Sequence, residues 1–335
     1  MSLALKAPVK VGIIPTHIKF FEGLAPGSDG KLPRNDEGVI LTVAEMERFC
    51  EQSPVRPSCV QIPVFAATDP GDSEELMAGL RALGLEVQLI LMVGGANPMD
   101  PADEDAVVGQ LVTLLKSPLA RGIKHVSSTS IEEWLNGRPR LEGEAYEAAV
   151  AQCVRVHTRA YEEAGLANSS IRHWHLEFLC PGEFTTFTDA RRCWDVVAAA
   201  NQALGKTFFK VLVDAAHCGD SDLSIPENEQ LIAEIAAADE LGVFHCSAKS
   251  TRGCFSTDDG WIGALLTAAA KTGKLEYVFV EILHHQDPML EPLRQRDPNH
   301  AIDTTDGRSY TQTTIDALTD TTHRLNNLVM RGIFK

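Results

Sequence analysis

No two cysteines in this chain have the CxxC spacing of a metal knuckle or a redox pair, although the chain has eight of them. Single thiols scattered through 335 residues do not look like a disulfide framework and suggest a reduced, cytosolic protein. No apolar stretch approaches the roughly 20 residues that cross a membrane. Residues 1–8, Met-Ser-Leu-Ala-Leu-Lys-Ala-Pro, lack the apolar core of a signal peptide, so a cytoplasmic location is expected. Basic side chains are also scarce: 30 Lys and Arg stand against 46 Asp and Glu, a formal net charge of −16. That field repels nucleic acid and anionic membranes, and neither is expected as a partner. A small substrate held through a cation is still permitted. Finally, no Gly-rich turn follows the first apolar run, where residues 15–21 read Pro-Thr-His-Ile-Lys-Phe-Phe. This argues against a doubly wound nucleotide-binding sheet and points to an unphosphorylated substrate.

What the chain does have is alternation. Eight β-rich runs occur at residues 9–14, 59–64, 86–92, 122–127, 172–178, 208–214, 242–245 and 277–282. Several are continuously apolar, as in parallel strands buried on both faces. Helical patterns lie between and after them, at 42–53, 73–83, 103–116, 142–164, 189–204, 226–241, 257–272 and 311–330. Thr42 is the expected cap of the first helix, and Ser73 with the following Glu pair opens the second. Gly84, Gly165, Gly205, Gly242 and Gly273 stand where helices should stop. Eight βα units without a linker, repeat or low-complexity tract predict one α/β domain over residues 1–335, a single (β/α)8 TIM barrel. Three segments, 15–41, 246–256 and 284–310, are longer than a barrel needs and fall on its C-terminal face. In the first, Phe20 and Phe21 serve either as a lid or as an anchor to the barrel rim.

Four of the runs close on a polar residue: Glu177, Asp214, His245 and Glu281, spaced 37, 31 and 36 residues apart. Each gap is about one strand-helix-strand repeat, and the ends of successive parallel strands converge in space. Three carboxylates and an imidazole brought together repel unless a cation sits among them. The pattern therefore reads as one divalent-metal site. So hard a donor set suits Mn2+, Mg2+ or Co2+, and Zn2+ also fits. A metal of this kind polarises a carbonyl and an adjacent hydroxyl of a sugar and stabilises the charge that develops as a proton leaves the next carbon. Glu177 and Glu281 flank it as the candidate catalytic pair, one taking a proton from carbon and the other returning one.

The segment 214–217, Asp-Ala-Ala-His, resembles the Asp-x-x-His of the xylose isomerase-like barrels that include the ketose 3-epimerases. In that family the strand-five Glu is followed six residues later by a second Glu that holds substrate; here Glu183 follows Glu177. The resemblance implies that Glu177, Asp214, His245 and Glu281 are metal ligands and that the two glutamates are also the proton-transfer pair. It implies that His217 and Glu183 bind substrate. The activity it implies is a divalent-metal-dependent isomerase or epimerase of a sugar or sugar acid, working through a metal-stabilised enediolate, in a homo-oligomer. The epimerases carry a substrate-binding Arg six residues after the strand-seven His. Position 251 here is Thr, so Arg252 or Lys249 is expected to take that role. This departure, together with the long 284–310 segment, keeps a metal-dependent lyase, decarboxylase or hydrolase of a sugar acid as the alternative on the same barrel. An AP-endonuclease-like phosphodiesterase would need more histidines and a basic face. A sugar-binding protein without turnover would not need an intact ligand set.

Plainer roles compete elsewhere. Of His173 and His175, one is expected to face the barrel interior and one the helices. His175, sharing a face with Glu177, either contacts substrate or is a satisfied core histidine. His17, His284 and His285 are candidate contacts, with at least one of the last two structural. Cys180, Cys218 and Cys246 each follow a proposed ligand, and packing is favoured over a zinc-thiolate site. Trp174, Trp194 and Trp261 are expected to pack between barrel and helices.

Overall fold

Apolar runs without polar alternation need cover on both faces, and a parallel sheet wrapped by helices provides it. The computed structural model describes residues 3–15, 25–249, 255, 258–283, 285–296 and 303–334, without the side chains of 289 and 296. The candidates Arg252, His17, Phe20, Phe21 and His284 lie outside the described residues, as do parts of the three long loops. Eight strands are described: β1 Lys10–Ile13, β2 Cys59–Val64, β3 Glu86–Leu91, β4 His125–Ser128, β5 His173–Glu177, β6 Phe209–Asp214, β7 Leu241–Cys246 and β8 Tyr277–Val280. Each pairs in parallel with the next and β8 pairs with β1, closing the barrel. The expected (β/α)8 fold is the one observed.

The described helices are α1 Leu41–Gln52, α2 Pro70–Ala82, α3 Glu104–Lys116, α4 Gly143–Glu163, α5 Ala190–Leu204, α6 Ala215–Asp220, α7 Ile225–Ala237, α8 Trp261–Lys271, α9 Glu291–Arg296 and α10 Tyr310–Met330. None is long and apolar enough to cross a membrane. The larger core lies between sheet and helices. A smaller one fills the lumen with Ile14, Cys59, Leu212, Val243, Tyr277 and Phe279.

Local signals differ from expectation at three points. Ile40, not Thr42, is the N-cap of α1, and no side chain caps it. Asp69 caps α2, accepting from the backbone N–H of Gly71 and Asp72. Ser73 is thus already inside α2, where its hydroxyl donates to the Asp69 carbonyl. Gly84, Gly165, Gly205 and Gly273 do stop helices, all at positive φ. Gly242 does not. The left-handed turn before β7 is made by Asp239 at φ 60°, so α7 ends four residues earlier than expected and Leu241 opens β7. Gly242 sits inside that strand because a Cβ there would stand 2.4 Å from His175 Nδ1 and 2.6 Å from the Val211 carbonyl. The short α6 and α9 have no counterpart in the expected pattern.

Candidate metal centre

Glu177 and Asp214 are the last residues of β5 and β6, His245 is the last but one of β7, and Glu281 directly follows β8. Their ligand atoms all lie within 4.8 Å of one another, and all four side chains are buried. His245 Nδ1 is 3.5 Å from Glu177 Oε1, 3.7 Å from Asp214 Oδ2 and 3.2 Å from Glu281 Oε2. Its other nitrogen, Nε2, donates to the Gln61 amide oxygen at 2.7 Å. Gln61 is fixed in turn by donating to Ser127 Oγ at 2.8 Å. With its proton on Nε2, the neutral ring turns the Nδ1 lone pair toward three carboxylates, and Nδ1 makes no hydrogen bond. Burial opposes a charge on this ring, but Glu177 and Glu281 outweigh it and push His245 up to about 10. The centre therefore wants positive charge at Nδ1, either as a proton or as a cation. A divalent ion fits this donor set of carboxylate oxygens and one imidazole.

Asp214 has a second task. Its Oδ1 accepts from the backbone N–H of Ala216 at 2.6 Å and of His217 at 3.1 Å, capping α6. This cap swings His217 over the centre, with Nε2 3.8 Å from Glu177 Oε1. The Cys180 backbone N–H donates to His217 Nδ1 at 2.9 Å, so the ring proton is on Nε2, facing the centre. Glu183 lies beside His217, with Oε2 3.9 Å from Nδ1. Glu183 accepts from Trp134 Nε1 at 3.2 Å and from the Cys180 thiol at 3.1 Å. Trp134 and Gln61 escaped the sequence reading, because neither ends an apolar run and their roles exist only across the closed barrel. Cys180, Glu183 and His217 form a second tight group of ligand-type atoms. Cys218 and Cys246 are packed in the main core as expected, with burial pushing both thiols up.

A cavity of about 590 Å³ opens over Glu177, Glu183 and Glu281. Its far wall is apolar, with Ile14, Pro63, Phe65, Ile90, Met92 and Val93. Two expected contacts are absent from its described lining. Lys249 pairs with Asp259 at 3.5 Å and lies over the Trp261 ring. His175 lines a different cavity, at the opposite mouth of the barrel, together with His173. Positions two apart on a strand share a face, so both rings point inward and neither points to the helices. His285 pairs with Asp303 at 3.4 Å. Trp174 is fully buried and donates to Ser128 Oγ, a packing role as expected.

No family model matches the chain, and no curated protein sequence does. Solved structures do match. A D-psicose 3-epimerase from Clostridium cellulolyticum H10, crystallised with D-tagatose, superposes with a TM-score of 0.65 at 14% identity, over 95% of this chain and 99% of that one. An L-ribulose 3-epimerase superposes at 0.71 and 14% identity, over 97% of each chain. An IOLI protein with a zinc atom superposes at 0.56 and 13% identity, over 95% of this chain and 99% of that one. The architecture of this chain, a closed eight-stranded parallel barrel wrapped by helices, is the fold that these structures share.

Proposed function

We propose that this protein is a divalent-metal-dependent isomerase or epimerase of a neutral, unphosphorylated sugar. The observation that carries the reading is the meeting of Glu177, Asp214, His245 and Glu281 at one buried point, with His217 and Glu183 alongside. Those four residues would hold Mn2+, Mg2+, Co2+ or Zn2+. Bound there, such an ion polarises a sugar carbonyl and offsets the negative charge that builds as a proton leaves the neighbouring carbon. The protein's own groups do the rest. Glu177 from β5 and Glu281 after β8 both approach His245 Nδ1, at 3.5 and 3.2 Å, and as the proton-transfer pair one would take a proton from one carbon position and the other return it at another. His217 offers its Nε2–H to a substrate oxygen. Glu183, steadied by Trp134, accepts from a hydroxyl. The described cavity lining carries six carboxylates and no Lys or Arg, which favours a neutral sugar over a sugar acid or a phosphate. The structural likeness to epimerases supports the same reading.

The test is a panel of ketoses, aldoses and sugar acids assayed with EDTA-treated protein and metal add-back. Activity should vanish with EDTA and return with Mn2+, and the product should keep the mass of the substrate. Glu177→Gln and Glu281→Gln should each lower kcat by roughly 10²–10⁴-fold. Metal-independent turnover, or full activity in Glu281→Gln, would count decisively against the proposal. A product of changed mass would assign the barrel to lyase, decarboxylase or hydrolase chemistry instead.

A further inference from the structure

The inner face of the barrel changes character toward its C-terminal mouth. On β2 the inward positions run Gln61, Pro63 and, just past the strand, Phe65; on β3 they run Gln88, Ile90 and, just past the strand, Met92. The two rows are in register, with Gln61 beside Gln88 and Pro63 beside Ile90. Gln61 reaches across the lumen to His245, so these rows face the carboxylate centre. Beyond the two glutamines they turn apolar, and they form one wall of the cavity of about 590 Å³ that Glu177 and Glu281 also line. Among the described residues on this side, Gln110 is the polar side chain, and Gly94 occupies both ends of its amide. The Gln110 nitrogen donates to the Gly94 carbonyl and its oxygen accepts from the Gly94 N–H, each at 3.1 Å. Phe65 and Met92 are partly exposed and belong to neither described core. The cavity thus has a carboxylate half, at Glu177, Glu183 and Glu281, and an apolar half facing it.

A free sugar does not match this division. It carries a hydroxyl on nearly every carbon, and a hydroxyl pressed against the apolar wall gives up water without gaining a partner. A hexose is also small for the space. Its dozen or so heavy atoms, each taking at most the roughly 30 Å³ of a water molecule, fill no more than about 360 Å³. We propose, on the basis of the isomerase or epimerase reading above, that the substrate is a neutral sugar with an apolar aryl or alkyl substituent at the end remote from its reacting carbonyl. The carbonyl end lies at the carboxylate centre, and the substituent lies against Phe65, Ile90 and Met92. The phenyl ring of Phe65 and the adaptable thioether of Met92 suit such a group. The substituent belongs at the remote end for a chemical reason. A glycosidic bond at the carbonyl carbon would lock it as an acetal, and the neighbouring C–H would no longer be acidic. An ether or ester at the far end leaves the carbonyl and its neighbouring C–H intact.

The experiment uses the full chain loaded with Mn2+ and a set of D-ketohexoses, each compared with its own 6-O-benzyl ether. Binding is read by calorimetry and turnover separately by product analysis. A single methylene in a hydrophobic pocket changes discrimination by roughly 10–200-fold, so the benzyl ether should bind at least about tenfold tighter than its parent. Met92→Gln and Ile90→Asn, which set an amide into the wall, should each shrink that ratio several-fold, with the parent sugar as internal reference. Should a variant fail to fold, the wild-type ratio decides. Equal or weaker binding of the benzyl ethers overturns the apolar subsite, and it does so even where the parent sugar is epimerised and the reading of the centre stands. Tight binding of a benzyl ether that is lost in the folded variants supports the subsite. If no sugar of either kind is then turned over, it is the isomerase reading that falls.

Discussion

His245 is oriented by a residue from the far side of the barrel. The Gln61 oxygen on β2 fixes a proton on Nε2 and so leaves Nδ1 facing the three carboxylates, where the proposed cation would bind. Partners of this kind typically contribute 10–100-fold to metal affinity. Gln61→Leu should weaken Mn2+ binding by about that factor, measured by calorimetry, while kcat at saturating metal changes little. Unchanged affinity would mean that the ring is held by packing alone. The four residues that meet at the centre stood out in the sequence because each closes an apolar run, and a polar residue at a buried strand end is conspicuous. Gln61 was not legible, because it lies inside a run and its partner is 184 positions away. The same closure hides Trp134. Its donation to Glu183 predicts that Trp134→Phe, which keeps the ring and removes the donor, raises KM several-fold with a smaller effect on kcat. An unchanged KM would remove Glu183 from substrate binding or Trp134 from its support.

The loop between β5 and α5, which carries Glu183, is organised from outside by one carboxylate on the loop after β4. Glu132 is 3% exposed. Its Oε1 accepts from the Thr185 N–H at 2.9 Å, the Thr185 hydroxyl at 2.7 Å and Asn136 at 3.0 Å. Its Oε2 accepts from the N–H groups of Thr186 and Phe187, both at 2.9 Å. Only a group with acceptors on both atoms satisfies this set, so Glu132→Gln sets an amide donor against donors. Each buried group left unsatisfied costs about 1–3 kcal/mol, so the variant should lose roughly 2–4 kcal/mol in urea unfolding. Its KM should rise as Glu183 drifts, and a loss below 1 kcal/mol would show that the loop is held elsewhere. Strands and long helices were legible from apolar runs and periodicity. What was not legible is junction geometry: Asp214 serving as strand end and helix cap in one residue, and Asp239 rather than Gly242 making the turn before β7. The first depends on the Asp214 side chain reaching the N–H groups of the next turn from ordinary extended backbone, and the second on a left-handed backbone angle that Asp239 adopts only in context.

For the whole molecule, the barrel was legible from the count and spacing of its units, but the polar content of its interior was not. Continuous strands do not reveal that several of their inward residues are histidines held neutral. His157 on α4 shows the consequence. Trp174 Nε1 donates to Ser128 Oγ, and the two serine hydroxyls are 2.7 Å apart. Ser130 Oγ is 2.9 Å from His157 Nε2, and His157 Nδ1 is 2.7 Å from the Cys153 carbonyl. An indole N–H can only donate and a carbonyl can only accept. The chain therefore runs one way, from Trp174 through Ser128 and Ser130 into a neutral His157. Burial, only partly offset by the Cys153 carbonyl, holds His157 down at about 4. The unfolded chain, with an ordinary histidine near 6.5, takes up its proton first as pH falls. The stabilising effect of the neutral ring is thus complete above pH 6.5, shrinks as pH drops below it, and is gone at about pH 4. One such group is worth about 1.4 kcal/mol per pH unit, or roughly 3 kcal/mol across the window. His125 adds a loss of the same sign over the same interval. Unfolding free energies by urea at pH 7, 6, 5 and 4.5 should therefore fall well before the carboxylates titrate. In His157→Gln, a less stable protein at pH 7, the slope should be shallower by about one proton. Identical slopes in the two proteins would show that the buried ring is charged in the native state, and the one-way chain from Trp174 would have to be abandoned.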